Sequence, residues 1–195
     1  MTENTFLIVG LGNPGREYKD NRHNLGFMLI DRLSVRLNVR LSRMQAKALV
    51  GTVNYEGNKL ILAKPQTYMN LSGQSIQGLA RFYKLPLENM IVAYDDLDLP
   101  FGTVRIRPGG GPGGQKGVAS AIDRLGTKDF RRLRIGIGRP PGRMDPADYV
   151  LQNFSESDLT LLSEILDHSA DAVLTFVTEG LDAAMNKYNG EVQPQ

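Results

Sequence analysis

The chain has no cysteine among its 195 residues, which excludes disulfides, thiolate metal sites and a thiol nucleophile. It has only two histidines, which speaks against a zinc enzyme. No apolar run approaches the roughly 20 residues needed to span a bilayer, so no membrane association is expected. The opening Met1-Thr2-Glu3-Asn4 carries no basic residue, and the apolar stretch Phe6–Leu11 is too short for a signal peptide. A cytoplasmic protein is therefore expected. Neither a Gly-x-Ser-x-Gly nucleophile elbow nor a Gly-Lys-Ser/Thr phosphate loop occurs anywhere.

Net charge is also scarce. The 23 basic and 21 acidic side chains leave +2, which taken whole argues against a nucleic-acid partner. Counted by segment, the objection disappears. Residues 1–100 carry +3, and residues 101–144 set ten basic side chains against Asp123 and Asp129, giving +8. Residues 145–195 oppose Lys187 with ten acids, giving −9. A segregation of this kind can mark a polyanion-binding face offset by an acidic helix, or simply two solvated faces.

What is present is ordinary globular composition, 41% hydrophobic and 23% charged, at a length suited to one domain. Phe6–Gly10, Met90–Tyr94 and Arg132–Gly138 are expected to be buried strands. Ala48–Asn54 and Lys59–Ala63, joined at Glu56-Gly57-Asn58, are expected to form a hairpin. Thr103–Arg107 alternates and is expected at a sheet edge. Helical spacing predicts helices from His23 or Asn24 to about Val39, over Leu71–Tyr83, over Val118–Leu125 and from Ser155 onward. Pro108–Gly117, with six glycines and two prolines, must be loop. The fold class expected is a single α/β domain over 1–188: a twisted, mostly parallel mixed sheet with helices on both faces. Residues 189–195 are expected to form a flexible tail.

Gly10-x-Gly12-x-x-Gly15 follows a strand as a dinucleotide fingerprint would. Asn13-Pro14-Gly15 makes a turn, however, and the next helix starts too late to hold a pyrophosphate. The acid expected at a second strand end is also missing, since Asp31 falls inside the first helix. His23 stands at a loop–helix junction beyond the first strand, and Asp95 at the end of the strand Met90–Tyr94. Ligand sites in open α/β sheets collect at such C-terminal edges. A carboxylate within reach would orient the imidazole as a general base, with water as the economical nucleophile. Taken separately, a histidine at such a junction is more often a cap than a catalyst, and Asp95, beside Asp96 and Asp98, more often a turn-former or helix cap. Asn70 offers a carboxamide for a carbonyl, or a plain helix cap. Tyr18 and Tyr68 offer faces for an unpaired base or ribose, or packing. His168, on the acidic C-terminal helix, is expected at the surface or in packing.

In order along the chain stand Ile8-Val-Gly-Leu-Gly-Asn-Pro-Gly15, Tyr18 with Arg22-His-Asn24, Lys64-Pro-Gln-Thr-Tyr-Met-Asn-Leu-Ser-Gly73, Asp95-Asp-Leu-Asp-Leu-Pro100, the glycine loop and Arg132-Leu-Arg-Ile-Gly-Ile-Gly138. Together they resemble the bacterial-type peptidyl-tRNA hydrolase family over about residues 5–185. The resemblance implies a monomeric α/β enzyme that cleaves the ester joining a peptide to the terminal ribose of tRNA, without metal or cofactor. Its partner would be peptidyl-tRNA. By the same resemblance, His23 matches the catalytic base and Asp95 the carboxylate that holds it. Asn13 matches the residue that tells a blocked peptidyl nitrogen from a free α-amino group. Tyr18, Tyr68 and Asn70 match tRNA- or peptide-binding positions, with Met69 lining the site. Arg105, Arg107 and Arg134 match a basic patch facing tRNA phosphates. The chain departs from the family pattern where relatives commonly end the glycine loop in Gly-His-Asn-Gly. Here it reads Gly114-Gln115-Lys116-Gly117, which keeps hydrogen bonding at Gln115 and adds charge at Lys116 beside a phosphate-rich ligand. A relative recruited only to bind RNA would have no need of the trio His23, Asp95 and Asn13.

Overall fold

The computed structural model describes residues 4–193. Strand β1, Thr5–Gly10, is buried from Phe6 to Gly10, as expected of a continuous apolar run covered on both faces. Its Phe6 and Ile8 enter one core and its Leu7 and Val9 the other. Helix α1 follows at Leu25–Arg36, entered through a 3-10 turn, Arg22–Asn24. The hairpin comprises β3, Ala48–Tyr55, and β4, Asn58–Pro65, preceded by a short β2 at Arg43–Gln45. Tyr55 pairs with Asn58, which leaves Glu56 and Gly57 as a two-residue turn, both at positive φ. That is the mirror-image turn whose twist suits a hairpin.

Helix α2 spans Ser72–Phe82, β5 Met90–Asp96 and β6 Thr103–Arg107. Helix α3 spans Lys116–Leu125 and β7 Arg131–Gly136. Then come α4, Pro146–Val150, α5, Leu159–Glu179, α6, Leu181–Tyr188, and β8, Gly190–Glu191. The eight strands of the described residues form one sheet in the order β2-β3-β4-β1-β5-β7-β6-β8. The sheet is mixed, as expected, but not mostly parallel: the three parallel pairings make the central run β4-β1-β5-β7, and the four pairings outside it are antiparallel, because the hairpin turns β3 and then β2 back beside β4, and β6 runs against both β7 and β8. One apolar core lies between the sheet and α1 and α5, and the other between the sheet and α2 and α3. The expected single α/β domain with helices on both faces is what the chain adopts. Among the described residues no helix is long and apolar enough to cross a membrane.

Two expectations at the C-terminal end change. Thr103–Arg107 is not an edge, because β8 pairs with Thr103 and Val104. Nor does the chain come loose at 189. The Asn189 Oδ1 accepts from the Ile106 N–H at 2.6 Å, and the buried Val192 donates its N–H to Gly102 O at 2.7 Å. Only residues 194 and 195 of the expected tail fall outside the described structure. The missed signal was weak: an asparagine side chain doubling as a ladder partner leaves no periodicity to read.

β1 and β5 are parallel neighbours, so their C-terminal ends open on the same edge. Helix α1 lies unusually close to them. A Cβ placed on Gly26 would collide with the backbone of Leu11 and Ala93, and one on Gly10 with the Gly26 carbonyl. This glycine-to-glycine approach seats the first turn of α1, and His23 just before it, on the end of β5.

Candidate active site

β1 runs out into Leu11-Gly12-Asn13, and Asn13 is locked from two sides. Its N–H donates to Asn24 Oδ1 and its carbonyl accepts from Asn24 Nδ2, both at 2.9 Å. The Met69 N–H donates to Asn13 Oδ1 at 2.8 Å. Because a backbone N–H can only donate, this contact fixes which end of the carboxamide is oxygen. The Asn13 Nδ2 group has no partner among the described residues and is left for the cavity that Asn13 lines.

Across that edge, β5 delivers Asp95, almost wholly buried, and Asp96. Asp95 Oδ2 lies 2.9 Å from His23 Nδ1. An ionised carboxylate there selects the tautomer protonated at Nδ1 and leaves the Nε2 lone pair free, the form a general base needs. His23 makes no capping bond to its own turn, so the cap reading does not apply. Asp95 Oδ1 accepts from Gln115 Nε2 at 3.2 Å.

These groups lie in a cavity of about 390 Å³. Tyr68, Met69 and Asn70 line one side, Gly113, Gly114, Gln115 and Lys116 another, and Pro146, Ala147, Val150 and Leu151 form an apolar wall. Met69–Leu71 is a 3-10 turn that leads into α2 with no side-chain cap, so Asn70 is not spent as a cap and stands exposed. Tyr68 is also exposed, at 58%, while Met69 is buried. Lys116 is exposed at the first position of α3, on the rim of the cavity.

The wall from α4 is brought to His23 by its neighbours. Asn21 Nδ2 donates to Asn153 Oδ1 at 2.7 Å, and the Arg22 guanidinium sits 4.2 Å from the centre of the Tyr149 ring. Helix α4, its wall residues and Asp96 were not anticipated. Five residues are too short for periodicity, yet Asp145-Pro146 was a readable start signal: the Asp145 side chain accepts from Ala147 N, with proline at the first helical position.

The basic block divides in three. Arg105 and Arg134 pair directly across β6 and β7, as do Arg107 and Arg132, so all four share the sheet face opposite Val104, Ile106, Leu133 and Ile135. Arg105 is exposed and Arg107 half-buried, and neither lines the cavity. Arg134 is not simply presented to solvent as expected. Its Nε donates to Asp96 Oδ2 at 2.7 Å, which ties the arginine strand to the cavity wall.

Arg132 is a different kind of residue. It is 1% exposed and donates to the carbonyls of Gly110 at 2.6 Å, Gly111 at 3.1 Å and Lys128 at 3.0 Å, with its guanidinium 3.9 Å from the centre of the Phe130 ring. Burial pushes its guanidinium below the usual arginine value, with Tyr94 opposing, and burial pushes the Tyr94 hydroxyl up, with Arg132 opposing. Arg132 therefore clamps the glycine loop and cannot meet a phosphate.

Gln115 and Tyr18 also need correction. Gln115 lines the cavity, but its amide oxygen accepts from Val118 N at 2.9 Å and its nitrogen faces Asp95 and the Met69 sulfur, so its polar atoms are turned into the protein. Tyr18, in the turn Arg16–Tyr18, does not line the cavity. His168 donates to or accepts from nothing catalytic: its Nε2 lies 2.9 Å from Tyr188 O and its ring packs edge-on to Tyr188, as the packing expectation had it.

The model of the peptidyl-tRNA hydrolase family matches residues 7–195. The chain belongs to the peptidyl-tRNA hydrolase family. It is 48% identical over 184 residues to the peptidyl-tRNA hydrolase of Frankia alni, covering 94% of this chain and 93% of that one. Identity to the peptidyl-tRNA hydrolase of Rhodococcus jostii is 49% over 188 residues, covering 96% and 99%. The crystal structure of peptidyl-tRNA hydrolase from Acinetobacter baumannii superposes with a TM-score of 0.91 at 35% identity, covering 100% of this chain and 99% of that one. Membership in this hydrolase family agrees with the resemblance carried by the motifs. It places the His23–Asp95 pair and its cavity in a chain of that family.

Proposed function

We propose that this protein hydrolyses the ester between a peptidyl, or N-blocked aminoacyl, group and the terminal ribose of tRNA, with His23 as the general base that activates water. The observation that carries this reading is the 2.9 Å contact between His23 Nδ1 and Asp95 Oδ2 at the floor of a cavity open to solvent. A base so placed supplies about 10²–10⁴-fold in rate. Asp95 keeps Nε2 aimed outward; Nε2 takes a proton from the water that attacks the ester carbonyl and returns it to the ribose oxygen as the acyl C–O bond breaks. Donors aimed at the developing oxyanion add further acceleration, about 10²–10³-fold for one group. The Asn70 carboxamide, unspent and on the rim, is suited to the carbonyl.

Discrimination by Asn13 follows from its orientation. With Oδ1 taken by Met69 N–H, the face turned to the cavity is a donor. A peptide carbonyl can accept from it, whereas the ammonium of an unblocked aminoacyl-tRNA brings only more donors and gains nothing. Tyr68 offers an exposed ring for stacking at the tRNA 3′ end, and Tyr18 lies outside the cavity, where the tRNA stem continues. Lys116, Arg105 and Arg107 neutralise phosphates, and sequence-independent affinity of that kind suits an enzyme that takes many tRNAs.

The test is release of tRNA from N-acetyl-aminoacyl-tRNA against the unblocked form. Turnover confined to the blocked substrate is the expected outcome. Binding of tRNA with no turnover of either would make the protein an RNA-binding relative instead.

A further inference from the structure

We infer that Gln115 is a positioning residue for the catalytic carboxylate: its side-chain amide holds Asp95 Oδ1 so that Oδ2 stays on His23, an inference that rests on the general-base reading above. The orientation of the amide follows from one contact. Val118 N–H donates to Gln115 Oε1 at 2.9 Å, so the oxygen must face the helix and the NH₂ group must face the other way. There it meets two acceptors, Asp95 Oδ1 at 3.2 Å and Met69 Sδ at 3.3 Å. Every polar atom of the amide is used inside the protein, which leaves Gln115 no free donor for substrate.

Asp95 is consequently held at both oxygens, by donors from two unrelated parts of the chain. The imidazole of His23 comes from the entry to α1 and the amide of Gln115 from the cap of α3. A carboxylate held at one oxygen can still swing about its last torsion, which is broad. Gripped at both, it cannot swing without breaking a bond. The site of the second grip is fixed by packing, since a Cβ on Gly117 would run into the Met69 sulfur and the Leu11 side chain. Gln115, Met69 and Asp95 are all buried, so solvent does not compete for these contacts.

Gln115 stands where the family pattern that the motifs resemble has histidine. An amide donates as an imidazole N–H does, but does not titrate near neutral pH. The donor side of the grip on Asp95 therefore keeps one protonation state.

Two variants separate positioning from simple helix capping, assayed on N-acetyl-aminoacyl-tRNA across pH with thermal melts alongside. Gln115→Ser keeps a capping oxygen for α3 but ends two bonds nearer the backbone, short of Asp95. It should lower kcat about tenfold to a hundredfold, the scale seen when an outer-shell partner is removed from a histidine ligand, while KM and Tm hold. Gln115→Glu keeps both the length and the cap but turns an acceptor toward Asp95. It should lose at least as much kcat at neutral pH and regain part of it as pH falls, because two facing carboxyls then share a proton. Wild-type kcat in both variants would reduce Gln115 to a cap and overturn the proposal, as would a loss of kcat that only tracks a loss of Tm. His23→Ala, run beside them, tests the underlying reading: full turnover there removes the general base itself, whereas an inactive His23→Ala with fully active Gln115 variants overturns this proposal alone.

Discussion

His23 Nδ1 and Asp95 Oδ2 lie 2.9 Å apart although 72 residues separate them in the chain. Two parallel strands bring them together. β1 and β5 end on the same edge, and the close seating of Gly26 on Leu11 and Ala93 lets α1 start directly above β5. The pair is a product of sheet topology, and its consequence is tautomeric. Asp95→Asn keeps the shape but presents an amide NH₂ to Nδ1, which then must accept, moving the imidazole proton to Nε2. By analogy with the same change in the serine-protease triad, kcat should fall by up to about 10⁴. His23→Ala should fall by about 10²–10⁴, and the double variant should be little worse than the more damaging single one, since the two act as a unit. Single-turnover rates measured alongside tRNA affinity check this. Affinity should survive all three changes.

A second prediction concerns selectivity. Asn13→Ala removes the donor facing the cavity and leaves the buried Met69 N–H without its acceptor. The orphaned N–H costs about 1–3 kcal/mol of stability. More telling is the ratio of kcat/KM for N-acetyl-aminoacyl-tRNA to that for aminoacyl-tRNA, which should contract toward unity as the group that favours a carbonyl over an ammonium is lost. A ratio that holds while both rates fall would confine Asn13 to a structural part.

Much of this was legible in the sequence, and the reasons differ by element. The strands of the centre, β1 and β5, are short unbroken apolar runs because both faces are covered, and such runs are visible without any partner in view. The hairpin was visible because the turn residues Glu56-Gly57-Asn58 sit between two short strand-like segments. β2, α4 and β8 were not, being three, five and two residues long, below any period that could mark them. The candidate site was legible as a set of residues through its motifs, but not as a set of contacts. Nothing in Gln115 says that its amide turns inward to Asp95, and nothing in the Arg132-Leu-Arg134 alternation says that one arginine is buried under a loop while the next pairs with Asp96. Those outcomes depend on where the glycine loop lies, and a loop of that composition carries no local preference to read.

Arg132 gives the third prediction, and it is one of stability. Replacing it with leucine keeps bulk over Phe130 but removes the charged donor shared by Gly110, Gly111 and Lys128. The loss should be about 1.5–3 kcal/mol, or a Tm drop of roughly 3–10 °C for a domain of this size. Arg132→Lys should recover little, because a single ammonium cannot span three carbonyls in a plane and stack on a ring as well. Differential scanning calorimetry of the two variants decides it. A lysine variant as stable as wild type would show that charge, rather than the fork of donors, holds the loop.

The same alternation along β6 and β7 supplies the last prediction, because it separates arginines that hold the protein from arginines that hold its ligand. Arg105 and Arg107 lie on the same sheet face as Arg132 but keep access to solvent, and neither has an acidic partner among the described residues. If they meet tRNA phosphates, each removed contact should shallow the dependence of log affinity on log salt by about 0.7 for a single strand to 0.9 for a duplex. Arg105→Gln and Arg107→Gln should therefore weaken binding at low salt, flatten the slope, and leave Tm and single-turnover kcat alone. Arg132→Leu should do the opposite, lowering Tm while the slope of whatever binding persists stays as it was. Arg134 falls between them: its Nε is committed to Asp96 on the cavity wall, so Arg134→Gln should flatten the slope and also disturb turnover. Filter binding over a salt series, with the four variants side by side, reads all of these outcomes. An unchanged slope in both Arg105→Gln and Arg107→Gln would take this strand face out of the tRNA interface.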